Sequence, residues 1–286
     1  MGRSIFLVLG TMALVASSAA AWETEEIHKE IRWEGEKLVE VEISFGAGDL
    51  TLSAGSGDLL LDADVVIPEG QPRPEIRYRV EDHVGKLRLK TEKKKHDWPR
   101  RSRWDLRFGD EVPLTFEINL GASESTLDFS GLRVRGLEIN TGASSTKILF
   151  DRPNPEVLEK LEINVGAAKL RAKGLGNANF KRLRFEGGVG TYTLDFRGRL
   201  RHKASVDISM GLAQLTMLIP EDVGAKIEKE APLTTFSADG FEKEDGYYVN
   251  EAFGGHTSSV GSTKGTLIIT VEGGLGSINV ETVEDF

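Results

Sequence analysis

The chain contains no cysteine among its 286 residues. This absence excludes disulfide bonds, thiol nucleophiles, cysteine-ligated metal sites and a lipid-modified cysteine. The sequence also lacks the G-x-S-x-G, P-loop and G-x-G-x-x-G motifs, so it indicates neither a hydrolase nucleophile nor a phosphate-binding loop. Its five histidines are scattered, and no two have the spacing of a helical zinc pair. We therefore expect no cofactor and no metal centre.

A run of about 18 apolar residues, which would span a membrane, is also missing. The shorter apolar run from Ile5 to Val15 follows the basic Arg3 and precedes small residues up to Ala21. These three parts are typical of a secretory signal peptide, which we assign to residues 1–21. We expect the mature protein to begin near Trp22 and to have no transmembrane helix. The alternative is an N-terminal anchor that is not cleaved.

Positive charge is in deficit, since the formal net charge is -9 and loss of Arg3 with the signal peptide would make it -10. This balance argues against nucleic acid as a partner. Export of a protein without disulfides is typical of a bacterial envelope, so we expect a location in the periplasm or at the cell surface.

What the sequence does have is a repeated phrase of alternating residues that ends in glycine. It reads VEISFGAG, FEINLGAS, LEINTGAS and LEINVGAA, beginning at residues 41, 116, 137 and 161. The glycine recurs at intervals of roughly 21 to 24 residues, which is the period expected of stacked structural repeats. Period-two alternation predicts strands with one buried face. We therefore predict an all-β fold, a single-stranded β-solenoid of coils of about 22 residues, in one domain over residues 22–286.

The repeat predicts two rows of equivalent residues. Inward side chains stacked from coil to coil should form a core ladder of Ile118, Ile139, Ile163, Phe185 and Ile208. The glycines should lie at corners or bulges that need a positive φ or close packing of backbone on backbone. These corner glycines are Gly46, Gly121, Gly142, Gly166, Gly188, Gly211 and Gly274.

Some stretches depart from the repeat. Residues 71–113 contain a predicted hairpin and a basic loop near 90–107, and residues 226–265 form a predicted irregular insertion. Proline- and glycine-rich linkers at 151–155 and 174–177 are expected to be surface loops.

The order of several motifs resembles that of a known family. The segments are Trp104-Asp105-Leu106 and residues 112–122, 127–132, 137–144 and 271–280. Together they are similar to the toast-rack domain of LiaF-like proteins and candidate adhesins of bacterial envelopes. The resemblance implies a β-solenoid at the cell surface or in the periplasm, without established enzymatic activity, and with a role in envelope stress sensing or adhesion. It assigns no functional residues, because the matching positions are corner glycines and core residues.

Two polar rows accompany the core ladder. Glu117, Glu138 and Glu162 would align on successive coils, where paired carboxylates supply acid and base in polysaccharide-active enzymes or bind a cation such as calcium. The alternative is a solvated outer face of each strand, which we favour. The neighbouring amides Asn119, Asn140 and Asn164 are expected to form a structural ladder.

A basic run with tryptophans stands out within this acidic chain. Its candidate ligand-binding residues are Lys93, Lys94, Lys95, Trp98, Arg100, Arg101 and Arg103. Such a run can bind anionic lipid, lipopolysaccharide phosphate or a glycan. The alternative is a solvated loop, with Trp104 buried in the core.

From these observations we expect an exported, non-enzymatic binding or scaffolding module of the bacterial cell envelope, with a role in adhesion or envelope stress. Its expected partners are an anionic envelope lipid, a glycan or another envelope protein. The alternative is a polysaccharide-active enzyme or cation-dependent lectin that uses the glutamate row.

Overall fold

The computed structural model describes residues 23–55, 57–92, 101–254 and 265–285. The fold is all-β, as the alternation predicts. Within the described ranges, helical structure is limited to a 3-10 helix at Leu175–Ala178 and the short α1 at Glu251–Gly254. The predicted signal peptide lies outside the described residues.

The centre of the molecule is a stack of long parallel strands. We call each long strand, or each pair of half-strands that replaces one, a coil. The coils in order of stacking are β2 (Leu38–Ala54), β7 (Leu114–Asp128), the pair β8 (Val134–Thr141) and β9 (Ser145–Leu149), β10 (Leu158–Lys173), β11 (Phe180–Asp195), β12 (Lys203–Pro220) and β17 (Thr266–Val283). The repeats therefore pair in parallel along the stack.

The row of inward side chains lies in register through the stack. Ile118 aligns with Ile139, Ile139 with Ile163, Ile163 with Phe185, and Phe185 with Ile208. All five side chains are at most 2% exposed. Because burial of one such side chain stabilises a fold by about 1.5–3 kcal/mol, this row contributes heavily to the core.

Each long strand changes its alternation at the glycine. In β7 the buried residues are Leu114, Phe116, Ile118 and Leu120 before the glycine, and Ser123, Ser125 and Leu127 after it. The buried set moves from even to odd positions, as it does where a bulge adds one residue to a strand. Both halves of the strand can therefore face the same core across a bend.

The corner glycines form a column along the bend. None of the seven has a positive φ, whereas Gly48 and Gly276, two residues beyond the column, do. A Cβ atom on Gly121 would lie 2.2 Å from the carbonyl oxygen of Gly46, and one on Gly188 would lie 2.6 Å from that of Gly166. Of the two reasons given for glycine at these corners, close backbone packing is the one that applies.

The linker at 151–155 is mostly exposed, as expected, whereas residues 174–177 are buried, so the expectation is wrong for the second linker. Asn154 and Asn177 are at most 7% exposed. Nδ2 of Asn154 donates to the carbonyl oxygen of Val134 (2.7 Å), and Nδ2 of Asn177 donates to that of Phe150 (2.9 Å). These amides satisfy backbone groups of neighbouring coils, which lets the linkers close each coil against the core.

The first coil is covered by five strands. They are β1 (Thr24–Arg32), β3 (Leu59–Pro68), β4 (Glu75–Glu81), β5 (Val84–Lys90) and β6 (Ser102–Phe108). The predicted hairpin is confirmed, since β4 and β5 pair antiparallel with Ile76 opposite Leu89. The basic loop near 90–107 is shorter than expected, because β6 pairs in parallel with the second half of β2 and so extends the stack.

The insertion expected at 226–265 is regular where it is described. It contains β13 (Gly224–Glu230), β14 (Thr234–Ala238), β15 (Phe241–Glu244) and β16 (Tyr247–Asn250). The strands β13 and β14 pair in parallel with the two halves of β17, while β15 and β16 form an antiparallel hairpin. These strands were not predicted from the sequence as part of the stack, because they lack the repeated phrase that ends in glycine. β17 therefore lies between β12 and β13.

Candidate functional site

A long groove follows the glycine column. Its volume is about 1220 Å³. On six successive coils it is lined by the same three positions, namely residues 44–46, 119–121, 140–142, 164–166, 186–188 and 209–211. Because neighbouring strands lie about 4.8 Å apart, six coils give the groove a length of about 24 Å.

The glycines keep the groove open. Gly142, Gly166 and Gly211 are exposed although each lies at the centre of a strand bend. A Cβ atom on any of the three would lie only 2.9–3.1 Å from a carbonyl oxygen of the neighbouring coil, so the close stacking of the backbone also favours a stripe without side chains. Peptide groups therefore form part of the groove surface.

A row of short polar side chains lies beside the glycines. Nδ2 of Asn164 donates to Oδ1 of Asn140 (2.8 Å), and Nδ2 of Asn140 donates to Oδ1 of Asn119 (3.0 Å). The predicted amide ladder is therefore confirmed. The row begins at Ser44 and continues beyond the amides with Glu186 and Ser209. All three amides are half-buried, so the ladder still reaches the groove.

The residues just before the glycines form a buried row that is mostly apolar. Phe45, Leu120, Val165 and Met210 belong to it, but the third coil places Thr141 among them. Thr141 is 6% exposed, and its Oγ1 has no hydrogen-bond partner among the described residues. A buried hydroxyl without a hydrogen-bond partner lowers the stability of the folded protein when no ligand is bound.

A second buried polar group in the groove lining is also unsatisfied. Trp104 is 1% exposed and packs edge to face against Phe45, with ring centroids 5.2 Å apart. Its Nε1 has no hydrogen-bond partner within the described part of the chain. Two residues of the groove lining thus each carry an unpartnered buried polar atom, whereas most buried polar groups in proteins are hydrogen-bonded.

The described lining stops at an identifiable element on each side. At the first coil the wall contains Pro68, Pro72 and Pro74, which belong to the end of β3 and the loop that follows. At the other end, Oγ1 of Thr234 donates to the carbonyl oxygen of Gly274 (3.0 Å), and that coil does not contribute to the lining. The groove therefore has a defined length.

One family model matches the chain, the N-terminal domain of toast_rack, DUF2154. It matches residues 19–153 and again residues 152–218, which together are more than two thirds of the chain. The chain belongs to the toast_rack family. Two consecutive matches are consistent with a toast_rack chain built from repeats.

Similar solved structures include a candidate cell adhesion protein from Clostridium sporogenes, with 22% identity and a TM-score of 0.45 over 91% of this chain and 100% of that one. A candidate adhesin from Bacteroides fragilis has 12% identity and a TM-score of 0.37 over 90% and 97% of the two chains. A candidate lipid-binding protein from Parabacteroides distasonis has 12% identity and a TM-score of 0.33 over 92% and 96%. Similarity at this level carries no information about function.

No curated protein matches this toast_rack chain. Among the described residues, the structure contains no helix of the length and apolar character needed to cross a membrane.

The glutamate row lies in register but outside the groove of the toast_rack protein. Glu138 aligns with Glu117 on one side and with Glu162 on the other. Oε1 of Glu117 accepts from Asn119 (3.2 Å), Oε1 of Glu138 accepts from Asn140 (3.0 Å), and Glu162 pairs with Lys160 (2.6 Å). Each carboxylate is held by a contact on its own strand, and none of the three lines the groove.

The basic run is only partly described. Lys93, Lys94, Lys95, Trp98 and Arg100 lie outside the described residues. The exposed Arg101 forms an ion pair with Asp49 (2.6 Å), and Arg103 is exposed on β6. Neither arginine lines the groove.

A charged cluster that the sequence did not reveal lies on the first strands of the toast_rack chain. Antiparallel pairing of β1 with β3 places His28 opposite Asp64, with Nδ1 2.8 Å from Oδ1. This contact raises the pKa of His28, and the Arg107 guanidinium lowers the pKa of Asp64. The only group of three close metal-ligand atoms in the described part of the chain is formed by His28, Asp62 and Asp64. Arg107 already donates to both carboxylates, so a cation would have to displace it.

A ridge of aliphatic side chains lies on the other side of the glycine column. Val189 aligns with Leu212, and Leu212 aligns with Leu275. All three are more than half exposed. The sequence signal for this ridge is the residue after each corner glycine, which changes from alanine to larger aliphatic residues in the later coils.

Proposed function

We propose that this protein is an exported, non-enzymatic binding module of the bacterial cell envelope, and that the groove along the glycine column is its binding site. In this proposal the stacked coils form a single-stranded β-solenoid that keeps the groove straight. The observation that carries the proposal is the repetition of one lining triplet over six coils. A groove built by repetition suits a ligand that is elongated along the stack.

Binding is favoured over catalysis by the placement of the carboxylates. Among the described residues, the lining contains two carboxylates, Glu92 beside the first coil and Glu186 on the fifth. Four strand spacings separate these coils, which is roughly 19 Å. Glycosidases place their paired carboxyl groups about 5–9.5 Å apart. The polysaccharide-active alternative therefore has no pair in this groove.

Export and an envelope location are supported by the N-terminal sequence, which has the three parts of a signal peptide. A scaffolding role is supported by the ridge of Val189, Leu212 and Leu275, because exposed apolar patches mark interaction surfaces. The basic run remains a proposed secondary contact for anionic envelope components.

The proposed site is tested by blocking the groove. Asn164→Trp fills the middle and Ser209→Trp fills the far end, whereas Ser205→Trp adds the same side chain to β12 outside the groove. The purified mature chain is incubated with isolated murein sacculi and with envelope membranes, and the retained fraction is measured.

We expect retention of the wild type and of Ser205→Trp, and at least a tenfold loss for the two groove variants. Retention that all three substitutions leave unchanged would refute the groove as the binding site. Absence of wild-type retention on both preparations would refute the proposed function.

A further inference from the structure

The groove offers a polar side chain at every step along the stack, and on the first four coils this side chain is neutral. The first four coils each present a neutral hydroxyl or amide, from Ser44, Asn119, Asn140 and Asn164, beside a bare glycine backbone. The steps are about 4.8 Å apart. A ligand that uses all of them must be linear and must repeat its polar groups at nearly that interval.

The charge of the lining restricts the ligand further. The three central triplets, residues 119–121, 140–142 and 164–166, contain no charged side chain. Charged lining residues lie toward the ends, with Lys90 and Glu92 at the first coil and Glu186 on the fifth. A polyanion would find no cation along the middle of the groove, so a neutral ligand fits best.

The two unpartnered buried groups indicate that the ligand is polar. Thr141 and Trp104 belong to the groove lining, and Oγ1 of Thr141 and Nε1 of Trp104 are buried without a partner in the described residues. An acyl chain would leave both unsatisfied, whereas a ligand with hydroxyl groups can bond to either group once a small rotation of its side chain brings it to the groove surface. Lipid is therefore the poorer candidate for this groove.

The spacing between coils distinguishes the two remaining kinds of linear polymer, an extended peptide and a chain of sugars. An extended peptide repeats at about 3.3 Å per residue and falls out of step with the coils. An extended chain of β-linked pyranose sugars rises by roughly 5 Å per sugar, close to the strand spacing of ~4.8 Å, and so stays nearly in step with the coils over the length of the groove. Neighbouring hydroxyls on each sugar can bond to the amide oxygens and to the second Nδ2 protons of Asn119 and Asn164, while both Nδ2 protons of Asn140 are donated to Asn119 and Glu138.

We propose that the groove binds a neutral, linear oligosaccharide that lies parallel to the stack axis with about one sugar per coil. This inference rests on the proposed function and names the ligand class of the same site. The amide ladder meets ring hydroxyls, and Thr141 and Trp104 supply the two buried contacts. Contact with aromatic faces is minor, since Phe45 and Trp104 are each 1% exposed.

The test is titration calorimetry with neutral cello-, chito-, xylo- and malto-oligosaccharides of two to six sugars. In at least one series the affinity is expected to rise at least tenfold from the disaccharide to the pentasaccharide and then to level off at the groove length. Asn140→Ala is expected to weaken binding of the hexamer at least tenfold. Ser205→Trp serves as the control on β12 and is expected to bind like the wild type.

Thr141→Val keeps the inference testable if Asn140→Ala folds poorly, because it changes one buried hydroxyl to a methyl group of the same size. We expect it to weaken binding about fivefold while the thermal midpoint of unfolding does not fall. No binding of any neutral series at millimolar concentration would overturn the inference, as would binding that neither Asn140→Ala nor Thr141→Val alters.

Failure of this inference is distinguishable from failure of the proposed function. If envelope preparations retain the protein through the groove but no neutral oligosaccharide binds, the binding module stands and the ligand class is wrong. If neither assay shows binding through the groove, both proposals fail. If only oligosaccharides bind, the site and its ligand class stand and the envelope role fails.

Discussion

Asn164 donates a hydrogen bond from Nδ2 to Oδ1 of Asn140 across 2.8 Å, and this contact joins two coils of the stack. Asn140 also donates to Asn119 and to Glu138, so it takes part in three such bonds. Since a net hydrogen bond contributes about 0.5–1.5 kcal/mol, the loss of three bonds in Asn140→Ala is expected to lower the free energy of unfolding by about 1.5–4.5 kcal/mol. Asn164→Ala should lower it less. Urea unfolding of both variants checks this order, and the reverse order would contradict a ladder held through its middle member.

Thr141 is the site of a second prediction, because its unpartnered hydroxyl opposes folding. Replacement by valine removes the hydroxyl and keeps the shape of the side chain. We expect Thr141→Val to raise the free energy of unfolding by about 1 kcal/mol. Thermal unfolding without ligand measures the change. Thr146→Val provides a control at another buried threonine, because Oγ1 of Thr146 has a partner in Ser144 (3.1 Å), and it should not stabilise the protein.

The glycine column leads to a third prediction with an internal control. A Cβ atom on Gly121 would lie 2.2 Å from a backbone oxygen, whereas one on Gly46 would lie 3.5 Å from a methyl group of Thr91. Gly121→Ala is therefore expected to destabilise the fold by about 2 kcal/mol or more, since the backbone must shift. Gly46→Ala should be neutral or slightly stabilising, because alanine restricts the unfolded chain. Denaturant unfolding tests the pair, and equal effects would contradict close backbone packing as the reason for the column.

The pH dependence of the His28 cluster follows from the direction of its pKa shift. The hydrogen bond with Asp64 raises the pKa of His28 above the ordinary value near 6.5. The stabilisation from protonated His28 is therefore complete below pH ~6.5 and is lost as the pH rises through the raised pKa. NMR titration should give a midpoint above 6.5 for His28, and Asp64→Asn should lower that midpoint. An unchanged midpoint in the variant would rule out Asp64 as the cause.

Much of the central stack was predictable from sequence, for a physical reason. Parallel coils place equivalent positions of the repeat above one another. The residues of a row such as Ile118, Ile139 and Ile163 can therefore be identified from the repeated sequence alone. The amide ladder is visible in the same way. The hairpin of β4 and β5 was predictable from local alternation.

Other features depend on contacts that no local pattern encodes. The buried state of Asn154 and Asn177 depends on the backbone groups of neighbouring coils that their amides satisfy. The His28 cluster depends on the register of β1 against β3. The groove had a sequence signal in the recurring polar residue, inward residue and glycine, but the unpartnered state of Thr141 and Trp104 appears only in three dimensions.

The position of β17 determines when folding can be completed. This strand is the last of the described strands in sequence, yet it pairs with β12 on one side and with β13 and β14 on the other. A chain emerging from its N-terminus can add coils one at a time through β12, but the segment from β13 to β16 has no place on the stack until residues 266–283 arrive. The end of the molecule is thus assembled by long-range closure rather than by simple growth.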